Sequence, residues 1–423
     1  MERWSPWWRE EEDPTVEAWE RSPVKWVPKE VAKLSLDPFS LNFVSGPRQV
    51  GKTTLVKLAV RDLLLAGKDR RSVLYLSCDE LSDHKELGEV LDGYLNSRKS
   101  WSLRRSYIFL DEVTFVSEWW RAVKARIDSG ALRGDVVTVT GSASIDLLRQ
   151  KEYFPGRRGR GVDLTLMPLD FASYLDVLSP GLKERKSAAS LLDVGEAMGA
   201  NRLHAGEMGR LFLQYLETGG FPLSMREMAE SGRVTAAAKS LLDGIRGDWV
   251  RAGRSEGTMK EVVRCIVEAR GNPVSWLGLA RGASIGSPHT SRAYVETLRD
   301  LLLLTVLEFI RPDGQVVPRK NRKLHFVDPF VAKTLARYAG VDADEPAVAE
   351  GVVASHIARP CSAYYWKNGS EVDVVSLEGK KQVGVEVKWG FKAARTPRHL
   401  HDCFVLDKAK VPVFLGSLAV TPT

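Results

Sequence analysis

Residues 46–55 read GPRQVGKTTL, and the reading of that stretch decides the fold of the chain's first part. Gly46, Gly51, Lys52 and Thr53 satisfy G-x-x-x-x-G-K-[ST]. The run follows an apolar strand, LNFVS (41–45), and opens a helix, TTLVKLAVRDLLLAG (53–67). Strand, glycine turn, lysine and helix together separate a phosphate-binding loop from a chance glycine turn. The glycines let the backbone of Gly46, Pro47, Arg48, Gln49, Val50, Gly51 and Thr54 wrap phosphate oxygens. Amide N–H groups and the helix dipole favour negative charge at that point. Lys52 is expected to reach the β- and γ-phosphates, and the Thr53 hydroxyl to ligate Mg²⁺. ATP and Mg²⁺ are therefore the expected cofactors.

Working outward, YIFLDE (107–112) supplies a second half. Asp111 ends an apolar strand, where a carboxylate can hold the Mg²⁺ shell. Glu112 beside it is suited to polarise an attacking water. Two acids at a strand end are common on their own, but behind a phosphate loop they predict hydrolysis as well as binding. The next strand, VVTVTGS (136–142), ends in Thr140 and Ser142, either of which can sense a γ-phosphate. FPGRRGRG (154–161) carries Arg157, Arg158 and Arg160 on a glycine-rich loop. Arg157 or Arg158 presented to a neighbouring subunit's ATP would stabilise transition-state charge. A solvated basic loop or a DNA contact explains the same residues equally well.

The apolar runs 41–45, 72–77, 106–112, 136–142 and 162–169 alternate with amphipathic helices, a pattern that indicates a parallel sheet covered on both faces. Five of the chain's twelve tryptophans fall in residues 1–40, which read as a strap packed on the next domain. Residues 176–258 read as helical, with a Gly/Pro turn at TGGFP (218–222).

At 423 residues the chain is too long for one core. The four cysteines lie far apart, so neither a zinc site nor a disulfide framework is expected. The longest apolar run, LLLLTVL (301–307), is far too short to span a bilayer, and the acidic N-terminus lacks an export pattern. A cytoplasmic protein is expected. The net charge of +7 permits an anionic partner such as DNA.

Residues 259–327 predict three helices and a basic hairpin. MKEVVRCIVEAR (259–270) places Val262, Val263, Ile266 and Val267 on one stripe. VSWLGLARGAS (274–284) is a second helix. GSPHTSRAYVETLRDLLLL (286–304) begins with Ser287 as N-cap and Pro288 at the first helical position. Tyr294, Val295, Leu298 and Leu302 then face inward, leaving His289, Thr290 and Arg292 for a major groove. The hairpin around RPDGQVVPRKNRK (311–323) offers Arg319, Lys320, Arg322 and Lys323 as phosphate contacts. Winged helices also serve as docking modules, and that alternative stays open.

Near the C-terminus, SEVDVVS (370–376) precedes LEGKKQ (377–382) and GVEVKWG (384–390). Asp373 is expected to end a strand before a turn. Strand alternation puts Glu386 and Lys388 on one face, and a hairpin brings Asp373 beside them. Glu350, on a preceding helix, adds an acid. Asp373, Glu386 and Glu350 are thus candidate ligands for Mg²⁺ or Mn²⁺, with Lys388 near an attacking water. A surface salt bridge across a half-exposed hairpin is the competing reading. Val372 stands where the usual nuclease pattern has proline.

Taken in order, GPRQVGKTTL, YLSCDE, YIFLDEV, VTGSAS, PGRRG, PLDFASYL and GGFP, with SPWW near the start, resemble prokaryotic AAA+-type P-loop ATPases. That group carries a C-terminal domain similar to PD-(D/E)XK nucleases. The resemblance spans nearly the whole chain. It implies an α/β fold: a P-loop (AAA+/ASCE-type) core at 41–175 behind the 1–40 strap, a helical lid at 176–258, a winged-helix module at 259–338 and a restriction-endonuclease-like domain at 339–423. It further implies a homo-oligomeric ring and the aspartate and E-x-K roles for Asp373, Glu386 and Lys388. The function expected is ATP hydrolysis coupled to engaging duplex or branched DNA, with an endonuclease site. The alternative is a nucleotide-switched regulatory or defence-type binder whose nuclease-like end does not cut.

Overall fold

The computed structural model describes residues 2–141, 151–368, 370–390 and 399–418. The chain divides into two compact units, Met1–Met167 and Pro168–Thr423.

In the first unit, the short apolar runs form β1 (Ser40–Ser45), β2 (Val73–Ser77), β3 (Tyr107–Asp111), β4 (Val136–Thr140) and β5 (Asp163–Thr165). They make one parallel sheet in the order β2-β3-β4-β1-β5. Strands β1, β3 and β4 are buried along their whole length, as strands covered on both faces must be. β5 is shorter than its apolar run suggests and is buried only at Leu164. The helices are α1 (Pro14–Arg21), α2 (Lys52–Leu65), α3 (His84–Ser100) and α4 (Trp119–Asp128). β4 lies between β1 and β3, so the strand ends carrying the phosphate loop and Asp111 flank the end of β4. Open parallel sheets bind ligands at the carboxyl ends of their strands.

The tryptophan-rich segment covers the β2 edge. Trp7 and Trp8 each donate an indole N–H to Val73 O, at 3.0 and 2.9 Å. Ser5 Oγ exchanges hydrogen bonds with the Tyr75 backbone, donating at 3.1 Å and accepting at 3.0 Å. An otherwise open sheet edge, with its row of unpaired backbone groups, is closed by side chains.

In the second unit the helices are α5 (Phe171–Leu178), α6 (Val194–Ala200), α7 (Ala205–Thr218), α8 (Pro222–Ser231), α9 (Ala236–Arg251), α10 (Glu256–Glu268), α11 (Trp276–Gly282), α12 (Pro288–Asp300), α13 (Pro329–Ala339), α14 (Glu345–Ala358) and α15 (Lys410–Ser417). Strands β6 (Leu304–Phe309), β7 (Lys323–Phe326), β8 (Ala363–Asn368), β9 (Ser370–Glu378), β10 (Lys381–Lys388) and β11 (Asp402–Asp407) form one sheet, ordered β11-β10-β9-β8-β6-β7. Strands from both sides of the expected border at 338/339 thus share a sheet. The link is the parallel pairing of Glu308 and Phe309 with Tyr364 and Tyr365.

Ser287 caps α12, accepting from the His289 N–H, and Tyr294, Val295 and Leu298 are buried as expected. The helix stops at Asp300, because Leu302 adopts φ 57°, so Leu302 lies beyond the stripe. The Gly219–Gly220 pair has a packing reason. A Cβ on Gly219 would stand 1.9 Å from Asp328 Oδ1, and Gly220 N–H donates to Asp328 Oδ2 at 2.8 Å.

Candidate functional site

The GPRQVGKTTL stretch turns between β1 and α2. Gln49 and Gly51 take left-handed backbone, at φ 60° and 102°. Gly46 tolerates no side chain, since a Cβ there would meet Leu166 O at 2.4 Å. Lys52 Nζ donates to the carbonyls of Gly46 and Pro47, at 3.0 and 2.9 Å, so its ammonium is curled inside the loop. The N-terminus of α2 has no side-chain cap and no acid in its first turn, which suits it to an anion.

Asp111 is buried at the end of β3 and accepts three hydroxyl hydrogen bonds. Thr53, on α2, donates to Oδ2 at 2.7 Å. Tyr75, on β2, donates to the same oxygen at 2.8 Å. Thr140, on β4, donates to Oδ1. The parallel register pairs Tyr75 with Phe109, and strand alternation puts the Tyr75 side chain on the face of Asp111. Glu112 follows in left-handed backbone, φ 56°, and its N–H donates to Thr140 Oγ1 at 3.1 Å. The expected metal-holding pair, Thr53 and Asp111, is therefore in contact, and Thr140 orients both acids. The donor set, a hydroxyl and a carboxylate beside an anion-favouring turn, fits Mg²⁺ with a nucleotide polyphosphate.

Two members of this network escaped the sequence reading. Tyr75 sits in YLSCDE, where an aromatic reads as core. Behind it, Lys57 Nζ lies 3.3 Å from the Tyr75 ring centroid and 2.7 Å from Asp13 Oδ2. Burial lowers the Lys57 pKa, a pull that Asp13 opposes. The phenol is held far above its ordinary pKa by burial and by Asp111, so it stays protonated and donates.

The arginine loop packs along the start of β1. Leu41 N donates to Arg158 O at 3.0 Å, and Arg160 N to Phe39 O at 2.9 Å, both at the start of β1. The Arg158 guanidinium lies over Phe43 and pairs with Asp163 at 2.5 Å. At about 3.3 Å per strand residue, Phe43 is ~10 Å short of Gly46. Arg157 pairs with Asp128 at 2.5 Å and Arg160 with Asp37 at 3.0 Å. Arg157 and Arg158 therefore do not reach the phosphate loop of their own chain. Ser142 lies outside the described residues.

In the second unit, His289, Thr290 and Arg292 are exposed on α12, and Arg292 pairs with Glu296 at 2.7 Å. Arg319 and Lys320 are exposed in the hairpin loop. The other two hairpin cations are not phosphate contacts. Arg322 lies over the Trp276 ring at 4.6 Å and donates to Lys320 O at 3.1 Å, so it braces the loop from within. Lys323 is 1% exposed and lies on β7. Its ammonium stands 2.8 Å from each of Glu350 Oε1, Glu371 Oε1 and Asp373 Oδ1.

The C-terminal carboxylates do converge. Asp373 lies mid-strand on β9 and not at its end. The register pairing Val385 with Val374 sets Glu386 against Asp373, and Val387 N–H donates to Asp373 Oδ2 at 2.8 Å. Lys388 pairs with Glu386. Glu350 approaches from α14. Glu371, which sequence reading passed over, joins because it is two residues from Asp373 on one strand face. Burial acts to lower the Lys323 pKa, but Glu350, Asp373 and Glu371 overcome it and hold it well above the ordinary lysine value. Burial pushes Glu350 upward. His325, 3.6 Å from Glu350, is pushed down to about 3 by burial and then by Lys323. Among the described residues, no group of three or more His, Cys, Asp or Glu is disposed to hold a metal ion. The residues do not fit the expected nuclease metal, because an ammonium takes an oxygen from each of three carboxylates.

Among the described residues no helix is long and apolar enough to cross a membrane. Residues 39–175 match the family described as an AAA domain. The chain is 23% identical over 195 residues to the uncharacterized protein MJ1544 of Methanocaldococcus jannaschii, a match covering 45% of this chain and 37% of that relative. It thus spans little more than a third of that relative's length. Among solved structures it is similar to the Aeropyrum pernix ORC2 protein in its ADPNP–ADP complexes, at 12% identity and TM-score 0.39, over 71% of this chain and 88% of that one. It is also similar to the Aeropyrum pernix ORC1 protein in complex with DNA, at 17% identity and TM-score 0.30, over 80% and 90%. At these scores the likenesses carry no argument about the whole chain. The family match, the strand order and the loop at Lys52 converge on one statement: residues 39–175 are a P-loop domain of the AAA type.

Proposed function

We propose that this protein hydrolyses Mg·ATP in the loop around Lys52 and couples turnover to engaging or remodelling duplex or branched DNA. The observation that carries the first half is the 2.7 Å contact between Thr53 and Asp111, which joins the phosphate loop to the acid-bearing strand. Bound Mg²⁺ would neutralise charge developing on the transferred phosphoryl group. Lys52, now on the Gly46 and Pro47 carbonyls, would bind phosphate oxygens. Thr53 and Asp111 would hold the metal, with Tyr75 and Thr140 keeping the Asp111 carboxylate oriented. Glu112, fixed by its backbone bond to Thr140, orients the attacking water. Arg157 and Arg158 act on nucleotide across a subunit boundary of a homo-oligomer.

The DNA half rests on the exposed Arg319, Lys320, His289, Thr290 and Arg292, on a helix and the hairpin that follows it. Phosphate contacts from the hairpin and groove contacts from α12 suit a duplex. A second reading, a nucleotide-switched regulatory or defence-type binder that does not cut, is favoured by the ion pairs of Lys323. The test is phosphate release with and without DNA. Lys52→Ala should abolish it, and absence of nucleotide affinity in folded wild-type protein would refute the proposal.

A further inference from the structure

The C-terminal acids are the part of the molecule where sequence pattern and geometry disagree most. Four carboxylates, Glu350, Glu371, Asp373 and Glu386, converge in a buried setting, which by pattern invites a divalent cation. We propose that the cation of this cluster is the Lys323 ammonium, and that the cluster excludes a catalytic divalent metal while Lys323 is in place. The inference deepens the non-cutting reading of the C-terminal fold and is independent of the ATPase reading.

Three observations carry it. First, an ammonium has three protons to donate, and Lys323 has three carboxylate oxygens at 2.8 Å. It donates hydrogen bonds to Glu350 and Asp373 and pairs with Glu371, so the positive charge a metal would bring is already supplied to an oxygen of each acid. Second, the charge is nearly balanced. Lys367 pairs with Glu371 at 2.7 Å and Lys388 with Glu386. Three lysines thus face four carboxylates. A hard divalent cation keeps several waters but still takes one or two carboxylates from the protein. Here the ammonium already lies on three of the four acids, and the fourth, Glu386, is paired with Lys388.

Third, Lys323 cannot withdraw cheaply. It opens β7, whose four residues pair with Leu304 to Leu307 of β6. Val274 exchanges backbone hydrogen bonds with the preceding residue, Arg322, at 2.8 and 3.0 Å. The ladder fixes the backbone under the ammonium, and moving the ammonium out would leave three carboxylates without their cation, which is strongly destabilising. Lys323 acts as a bolt, fastening the hairpin that carries Arg319 and Lys320 to the helix and strand that supply the acids.

Mn²⁺ titration of the full chain without nucleotide tests this, read by the electron paramagnetic resonance of free Mn²⁺. Asp373→Ala serves as the control that assigns any bound ion to this cluster. Wild type should show no stoichiometric Mn²⁺ that Asp373→Ala removes. Lys323→Met, which keeps the stem and deletes the charge, should gain one Asp373-dependent ion. Stoichiometric, Asp373-dependent Mn²⁺ on wild type would overturn the proposal, as would a folded Lys323→Met that gains none. Should Lys323→Met not fold, the wild-type titration decides alone, supported by plasmid nicking in Mn²⁺. Nicking by wild type that Asp373→Ala abolishes would also overturn it. No arm contains ATP, so failure here leaves the Lys52 site untouched.

Discussion

Changing Tyr75 to phenylalanine deletes one oxygen and leaves the ring that Lys57 sits on. That oxygen lies 2.8 Å from Asp111 Oδ2, and the two residues are 5% and 2% exposed. A hydrogen bond to a charged group contributes about 1.5–3 kcal/mol. Thr53 and Thr140 still serve Asp111, so the loss should be confined to this one bond. For a unit of this size, 1 kcal/mol moves the melting temperature by about 2–4 °C. Tyr75→Phe should therefore lower the melting of residues 1–167 by roughly 3–12 °C. Calorimetry on the full chain measures the shift, with hydrogen exchange of β2 and β3 peptides identifying which transition moved. In the Asp111→Ala background the same change should cost little, because the acceptor is gone. A double-mutant cycle with coupling near zero would refute the reasoning, since the oxygen would then act through something other than Asp111. In turnover assays, Tyr75→Phe should raise the Mg²⁺ needed for half-maximal rate more than it raises the ATP needed.

Asp13→Ala strips a buried lysine of its partner, both side chains being under a tenth exposed. It should cost about 3–5 kcal/mol by chemical denaturation, and Asp13→Ala with Lys57→Met should recover most of that. Burial raises the Asp328 pKa from 3.8 to about 6. The unfolded chain thus ionises first as pH rises, and the folded state is penalised between those values. The unfolding free energy of wild type relative to Asp328→Asn should fall by about 3 kcal/mol in all between about pH 3 and pH 7, about 2 kcal/mol of it from pH 4 to 6, and stay flat above. Urea titrations across that window measure it, and a difference that rises with pH would contradict the assignment. Arg319→Ala and Lys320→Ala should each lower the salt dependence of duplex affinity by about one phosphate contact, with Thr290→Ala leaving that slope unchanged.

Much of the first unit was legible because local chemistry wrote it. The glycines of the loop are required by left-handed backbone and by the carbonyl of Leu166. The β1, β3 and β4 runs are apolar throughout because both faces are covered. The spacing of Asp111 behind Lys52 then follows from a strand order that pattern alone suggests. Tyr75 and Lys57 were not legible. An aromatic and a lysine carry no sequence mark of which distant carboxylates they will meet.

The second unit divides the same way. The Ser287 cap of α12 and the shared strand face of Glu386 and Lys388 were legible in sequence, since these rest on spacings within one element. Tertiary structure alone decided that Arg158 points away from its own phosphate loop and that Lys323 leaves the hairpin's basic run to neutralise three acids. The physical reason is that a charge in sequence has a sign but no neighbours. Whether it meets solvent, phosphate or a buried carboxylate is set by strand register and by contacts across tens of residues, which local periodicity does not encode.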